Sequence, residues 1–194
     1  MNDVSLHELP ARSTLTIDLF SSLDGYAAAG GWPGYWGKEG PDLMGWLADK
    51  LADDHTLVMG ANTYRTMSHI VAEAEDPTFA RMGEIPKVVF SSTLQPPLAW
   101  ANTQVVAEDA ASALRRMKVE GTVPIRTMGS ISLNGTLLRE GLVDYLQVVV
   151  FPVITGETGL DPIYAAWPDL DLELVDSRTL DGRMQLLRYI PTMH

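Results

Sequence analysis

Cysteine is absent from the 194 residues, which excludes disulfides, thiolate nucleophiles and cysteine zinc sites. Basic residues are scarce. Fourteen lysines and arginines face 25 acids, for a net charge of −11. A field of that sign repels phosphate backbones, so no nucleic-acid partner is expected. A phosphorylated cofactor would need local amides and a few cations to hold it. No apolar run approaches the ~20 residues that cross a bilayer. The first thirteen residues hold Asp3, His7, Glu8 and Pro10 and lack the basic start and apolar block of a signal peptide. A cytoplasmic protein without a membrane partner is therefore expected. Gly-x-Gly-x-x-Gly after the first strand, Gly-x-x-x-x-Gly-Lys-Ser/Thr and Gly-x-Ser-x-Gly are all missing, against an ordinary Rossmann site, a P-loop or a serine hydrolase. His7, His55, His69 and His194 show no metal-ligand spacing, so no metal is expected.

What is present reads as one globular unit, with 46% hydrophobic and 20% charged residues in the ordinary range. No repeat or long linker divides it. Residues 1–13 read as an N-terminal tail and 14–194 as a single domain. Leu15, Ile17 and Leu19 alternate with Thr16, Asp18 and Phe20, the period of a strand, which Asp24-Gly25 should end in a turn. A glycine-rich loop with Trp32, Tyr35 and Trp36 runs to Pro41, and long loops of this kind are often lids or binding loops. Pro41 and Asp42 suit a helix start, with Leu43, Trp46, Leu47 and Leu51 at helical spacing. Residues 56–59, 87–90, 103–106 and 124–128 read as strands. Helices are expected from about Asn62 or Thr63, after an Asp109 N-cap, and from Gly129-Ser130 to Gly141. Tyr145 to Phe151 reads as a central strand. Leu172–Leu180 and Met184–Ile190 flank Asp181-Gly182, a hairpin signal. Alternating strands and helices with a final hairpin predict a layered α/β domain with a mixed sheet.

Three strand ends finish in small or hydroxyl residues: Gly60-Ala61-Asn62-Thr63, Ser91-Ser92-Thr93 and Gly129-Ser130-Ile131-Ser132. Ligands of open α/β sheets bind outside the carboxyl ends of strands, where glycine admits a phosphate and a following helix presents free amides. Each turn is equally explained as a tight strand-to-helix connection; three together point to a shared edge. Asp24 is the acid expected to contact substrate or relay a proton, or else it holds its own Asp-Gly turn. Glu157 is a second acidic candidate. Trp32, Tyr35 and Trp36 either close over a flat ring or pack the loop onto the core.

Taken in order, Ser22-Leu23-Asp24-Gly25, Gly60-Ala61-Asn62-Thr63-Tyr64, Lys87-Val88-Val89-Phe90-Ser91-Ser92-Thr93, Met128-Gly129-Ser130, Gly141-Leu142-Val143-Asp144 and Phe151-Pro152-Val153-Ile154-Thr155-Gly156 resemble the reductase domain of the riboflavin-pathway bifunctional deaminase-reductase, the RibD C-terminal-like branch of the dihydrofolate reductase superfamily. The resemblance spans roughly residues 14–190. It implies a three-layer dihydrofolate reductase-like fold, its mixed, mostly parallel sheet ending in an antiparallel hairpin. It also implies NADPH as hydride donor, a small polar heterocyclic substrate and a homodimer. By position, Gly60, Asn62 and Thr63 would hold the pyrophosphate region. Ser91, Ser92 and Thr93 would lie near the adenosine and its 2′-phosphate, and Gly129, Ser130 and Ile131 near the phosphates and nicotinamide. Asp24, Trp32, Trp36 and Glu157 would meet the substrate. Ala61 departs from the pattern, since the family usually has arginine there, a forked phosphate donor; Arg65 one turn on is its substitute or a solvated residue. A pterin reductase and a catalytically inactive ligand-binding module on the same fold are the alternatives.

Overall fold

A computed structural model describes residues 12–73 and 77–194. The expected N-terminal tail lies outside the described residues except at its end. There Ser13 is buried and its amide donates to the Lys118 carbonyl. The strands are β1 (Leu15–Ser22), β2 (Tyr26–Ala29), β3 (Thr56–Gly60), β4 (Lys87–Phe90), β5 (Thr103–Val106), β6 (Ile125–Thr127), β7 (Tyr145–Phe151), β8 (Gly159–Pro162), β9 (Leu170–Leu180) and β10 (Met184–Met193). The helices are α1 (Pro41–Ala52), α2 (Ala61–Glu73), α3 (Pro77–Glu84), α4 (Ala110–Glu120) and α5 (Ile131–Arg139).

Eight strands form one sheet in the order β5-β4-β3-β6-β1-β7-β10-β9. The first six run parallel; β10 is antiparallel to β7 and to β9. This is the mixed sheet with a terminal hairpin that the alternation of strand and helix signals predicts. Asp181 and Gly182 both carry positive φ, at 49° and 64°, as a two-residue hairpin turn demands. The hairpin strands run longer than expected, starting at Leu170 and ending at Met193.

Alternation along each strand divides the core into two layers. Leu15, Val58, Val88 and Ile125 pack on Leu114, Leu133 and Leu137 of α4 and α5. Phe20, Val149, Phe151 and Leu186 turn the other way onto Leu43, Trp46 and Leu47 of α1, and Leu57, Met59 and Val89 onto Leu51 and Tyr64. The sheet is thus the middle of three layers.

Helix α1 is secured at both ends. At its amino end the Asp181 carboxylate accepts from the amides of Asp42 (2.9 Å) and Leu43 (3.0 Å). The Asp42 carboxylate accepts in return from the Asp181 amide (2.9 Å). This reciprocal cap reaches across 139 positions, and it satisfies donors that a helix start cannot pair internally. Gly40 makes room for it, because a Cβ there would lie 2.4 Å from the Asp181 carboxyl. At the other end Lys50 Nζ lies 2.8 Å from Asp18 Oδ2 in β1. Asp18 also accepts from Gln147 Nε2 at 2.7 Å and Arg126 Nη1 at 3.3 Å. Burial pushes the Lys50 ammonium below its ordinary pKa, while Asp18 opposes that shift. This ionic cluster sits between two apolar patches beneath α1.

Three elements escape the sequence patterns. β2 and β8 pair into a separate two-stranded sheet, and α3 fills part of the segment before β4. The loop expected from Ala29 to Pro41 follows β2 directly and contains a 3-10 turn at Gly34–Gly37.

Candidate active site

Because β5, β4, β3, β6, β1 and β7 are parallel, their carboxyl ends share one edge. The turns that follow them line up along it: 91–93, then 61–63, then 128–131, then 23–25, then 152–156. The 181–183 turn joins the row, since Gln185 pairs with Val150 near the end of β7. The three glycine- and hydroxyl-bearing turns therefore lie on one face of the molecule, as neighbours. A cavity of about 240 Å³ lined by Thr56, Met117, Glu120 and Ile125 opens at the opposite, amino edge and takes no part in this arrangement.

Two of the turns are bonded to each other. Ser130 Oγ accepts from the Gly60 amide at 2.8 Å and donates to Thr63 Oγ1 at 2.7 Å. Gly129 and Ser130 both have positive φ, 55° and 62°. A Cβ on Gly129 would approach Thr63 Cγ2 to 3.3 Å, so glycine there permits the close approach. Asn134, fully buried in the first turn of α5, donates from Nδ2 to the Gly129 carbonyl at 2.9 Å and leaves its own Oδ1 unpartnered. α2 starts at Ala61, just before the expected Asn62 or Thr63, so its first amides face the edge directly. Asn62 is exposed and its Oδ1 accepts from Arg65 Nη1 at 3.0 Å, which folds that guanidinium back to the start of the helix. At the third turn the amides of Thr93 and Leu94 donate to Ser91 Oγ at 3.1 and 3.0 Å, and Ser92 is exposed beside them. Ile131 is half-buried, packed toward Leu138 and Trp167.

The substrate candidates separate. Trp36 is 5% exposed and packs on Phe151 at 5.0 Å between centroids. Its assignment to substrate contact is corrected: the ring belongs to the core, and Tyr35 stacks on the same Phe151. Trp32 is 42% exposed and stays open to a ligand. Glu157 is exposed in the turn after Gly156. Asp24 bonds within its own turn, to Ser22 and to its own amide, and it also reaches across to the 155–156 turn. Its Oδ2 accepts from the amides of Thr155 (3.0 Å) and Gly156 (2.9 Å) and from Thr155 Oγ1 (3.2 Å). A hydrogen bond from Ser22, then those amides, hold the carboxyl well below the usual carboxylate range, outweighing the opposing effect of burial. A group so acidic remains an anion and holds the 155–156 turn; it is poorly matched to a proton relay near neutral pH.

The folded pKa of Asp24 lies below the unfolded value of 3.8. Its contribution is thus complete above that value and is lost only as pH falls through the folded pKa. The amide resonances of Thr155 and Gly156 should stay constant from neutral pH down to about pH 4 and move only in stronger acid. A titration of those amides near pH 6 would contradict it.

Among the described residues no group of histidines and carboxylates could hold a metal, and no helix is long and apolar enough to cross a membrane. His7 lies outside the described residues.

These turns stand on the carboxyl edge of a mostly parallel sheet, the place where open α/β sheets in general bind ligands. The sequence comparison supplies the family. Residues 13–186 match the RibD C-terminal domain, and the chain belongs to that family. No curated protein matches it. Among solved structures it resembles a pyrimidine reductase-like protein from Corynebacterium diphtheriae, with a TM-score of 0.63 and 16% identity over 94% of this chain and 93% of the other. It also resembles a Thermotoga maritima diaminohydroxyphosphoribosylaminopyrimidine deaminase/5-amino-6-(5-phosphoribosylamino)uracil reductase, with a TM-score of 0.63 and 17% identity over 93% of this chain and 57% of that longer one. A riboflavin biosynthesis reductase from Saccharomyces cerevisiae gives 0.56 and 11%, over 94% and 91%. At these identities the likeness establishes the dihydrofolate reductase-like fold.

Proposed function

We propose that the protein is an NADPH-dependent reductase of the riboflavin-biosynthesis type, delivering hydride to a small polar heterocycle such as a ribosylamino-pyrimidine. The observation that carries the reading is the alignment of residues 60–63, 91–93 and 129–131 on one strand-end edge. The residues present fit a dinucleotide. Gly60 and Gly129 let backbone approach it, and the first amides of α2 and α5 suit its phosphates. Ser92 and the 91–93 turn would face the adenosine end. Arg65, whose guanidinium bonds Asn62 at the start of α2, would be the cation offered to the phosphates, since Ala61 has no donor. NADPH, when bound, supplies the hydride. The chain's part is to align the substrate and to exclude water; Trp32 and Glu157 flank the substrate side, and Asp24 fixes the turn that carries Glu157. A cytoplasmic homodimer belongs to the same reading, and the exposed Leu172, Leu174 and Met193 of the terminal hairpin support a second copy.

Titration of the protein with NADPH while tryptophan fluorescence is followed should give saturable quenching, with NADH weaker. No response to either nucleotide would end the reductase proposal. A ligand-binding module without turnover is the second reading, favoured by the commitment of Asp24 to backbone amides and by Ala61. Saturable NADPH binding with no NADPH oxidation across pyrimidine and pterin substrates would select it.

A further inference from the structure

We propose that Ser130 is a positioning residue: its hydroxyl latches the β3–α2 turn to the β6–α5 turn and so sets the spacing between the two turns that face the nucleotide. The inference rests on the reading of that edge as a dinucleotide site, but it changes what Ser130 does there. A serine on a strand-to-helix turn is naturally taken as a direct ligand to phosphate. Here the hydroxyl is already engaged on both sides, accepting from the Gly60 amide (2.8 Å) and donating to Thr63 Oγ1 (2.7 Å). It thereby joins residues 70 and 67 positions apart.

The backbone gives a second, independent sign. Ser130 lies in the left-handed region, with φ 62° and ψ 62°. Side-chain-bearing residues other than asparagine and aspartate seldom adopt it, and glycine would sit there without strain. A serine held in that conformation at a ligand-facing turn indicates that its side chain contributes something glycine cannot. The two hydrogen bonds are that contribution. Without them the Gly60 amide, at the last residue of β3, loses its acceptor, and the Gly129 backbone and the Thr63 side chain, which meet closely, lose the bond that fixes their separation.

This predicts that stability and ligand affinity respond differently to one substitution. Ser130→Gly removes both the latch and the strain, whereas Ser130→Ala removes the latch and keeps the strain. Both variants should weaken NADPH binding by about tenfold, the equivalent of one lost hydrogen bond's worth of pre-organisation. The thermal midpoint of Ser130→Gly should nevertheless stand at or above that of Ser130→Ala. Thr63→Val, which keeps the branched shape and removes the acceptor, should weaken NADPH in the same direction by a smaller factor. In the protein without nucleotide, hydrogen exchange at the Gly60 amide should be slow in the wild type and fast in both Ser130 variants.

Wild-type affinity retained in Ser130→Gly and Ser130→Ala would overturn the latch and leave the nucleotide site standing. Loss of affinity only in proportion to lost thermal stability would also overturn it, because that is what a merely structural serine does. A wild-type protein that binds neither NADPH nor NADH would overturn the site itself, and the positioning role with it, while the exchange of the Gly60 amide would still report whether the hydrogen bond exists.

Discussion

Asp18→Asn should lower the unfolding free energy by about 3–5 kcal/mol, the range for breaking a buried ion pair by removing one partner. The Asp18 side chain is 8% exposed and Lys50 13%, so water replaces little of what is lost. One carboxylate serves Lys50, Arg126 and Gln147 together. An asparagine of the same shape leaves two cations facing each other under α1 with no counter-charge. Lys50→Met should be milder, because Asp18 then retains Arg126 and Gln147. Urea unfolding of the two variants, compared by midpoint at unchanged slope, checks both values. A loss below about 1 kcal/mol for Asp18→Asn would mean that the cluster behaves as an exposed pair.

Trp36→Ala should also cost about 3–5 kcal/mol, as buried tryptophans do when truncated, whereas Trp32→Ala should stay within about 0.5 kcal/mol of wild type. The contrast follows from their settings four positions apart. Trp36 fills the space between α1 and Phe151, in a cluster with Leu43, Val149 and Met184; Trp32 projects from the rim of the loop. Binding should show the reverse ranking. Trp32→Ala should reduce the fluorescence change on adding NADPH or substrate analogues, and any deficit in Trp36→Ala should track its stability. A Trp36→Ala protein that melts normally but fails to bind would return Trp36 to the ligand site.

The strand and helix signals along β1, β3, β4, β6 and β7 led directly to the observed sheet because a buried parallel strand is written locally, as a short apolar run closed by a turn. The convergence of the three turns was legible for the same reason: once strands are parallel, their ends must share an edge. What was illegible depends on distant partners. β2 is Tyr-Ala-Ala-Ala and β8 is Gly-Leu-Asp-Pro; neither has strand propensity, and each is a strand only because the other lies beside it. The sequence leaves Asp24 between a substrate contact and a hold on its own turn, because the further amides that bind it are 131 and 132 positions away. Asp18 alternates with the leucines and isoleucine of β1, and only the placement of Lys50 by α1 makes it the centre of a buried cluster. For Trp36 the sequence leaves lid and core both open, and the turn at Gly34–Gly37 decides for the core by folding the ring inward. Residues whose roles rest on local pattern could be named from the sequence; those whose roles rest on the closing of long loops could not.

The mutual grip of Asp42 and Asp181 also bears on how the chain assembles. During synthesis the segment that becomes α1 leaves the ribosome long before the hairpin that completes its start. Until residue 181 emerges, the Asp42 and Leu43 amides at that end have only water. Any chain that stops earlier also lacks the antiparallel neighbour of β7. The hairpin therefore acts as a checkpoint: chains cut short before it should be left with a loosened first helix beside an open sheet edge, the kind of exposed backbone that quality-control proteases and chaperones engage.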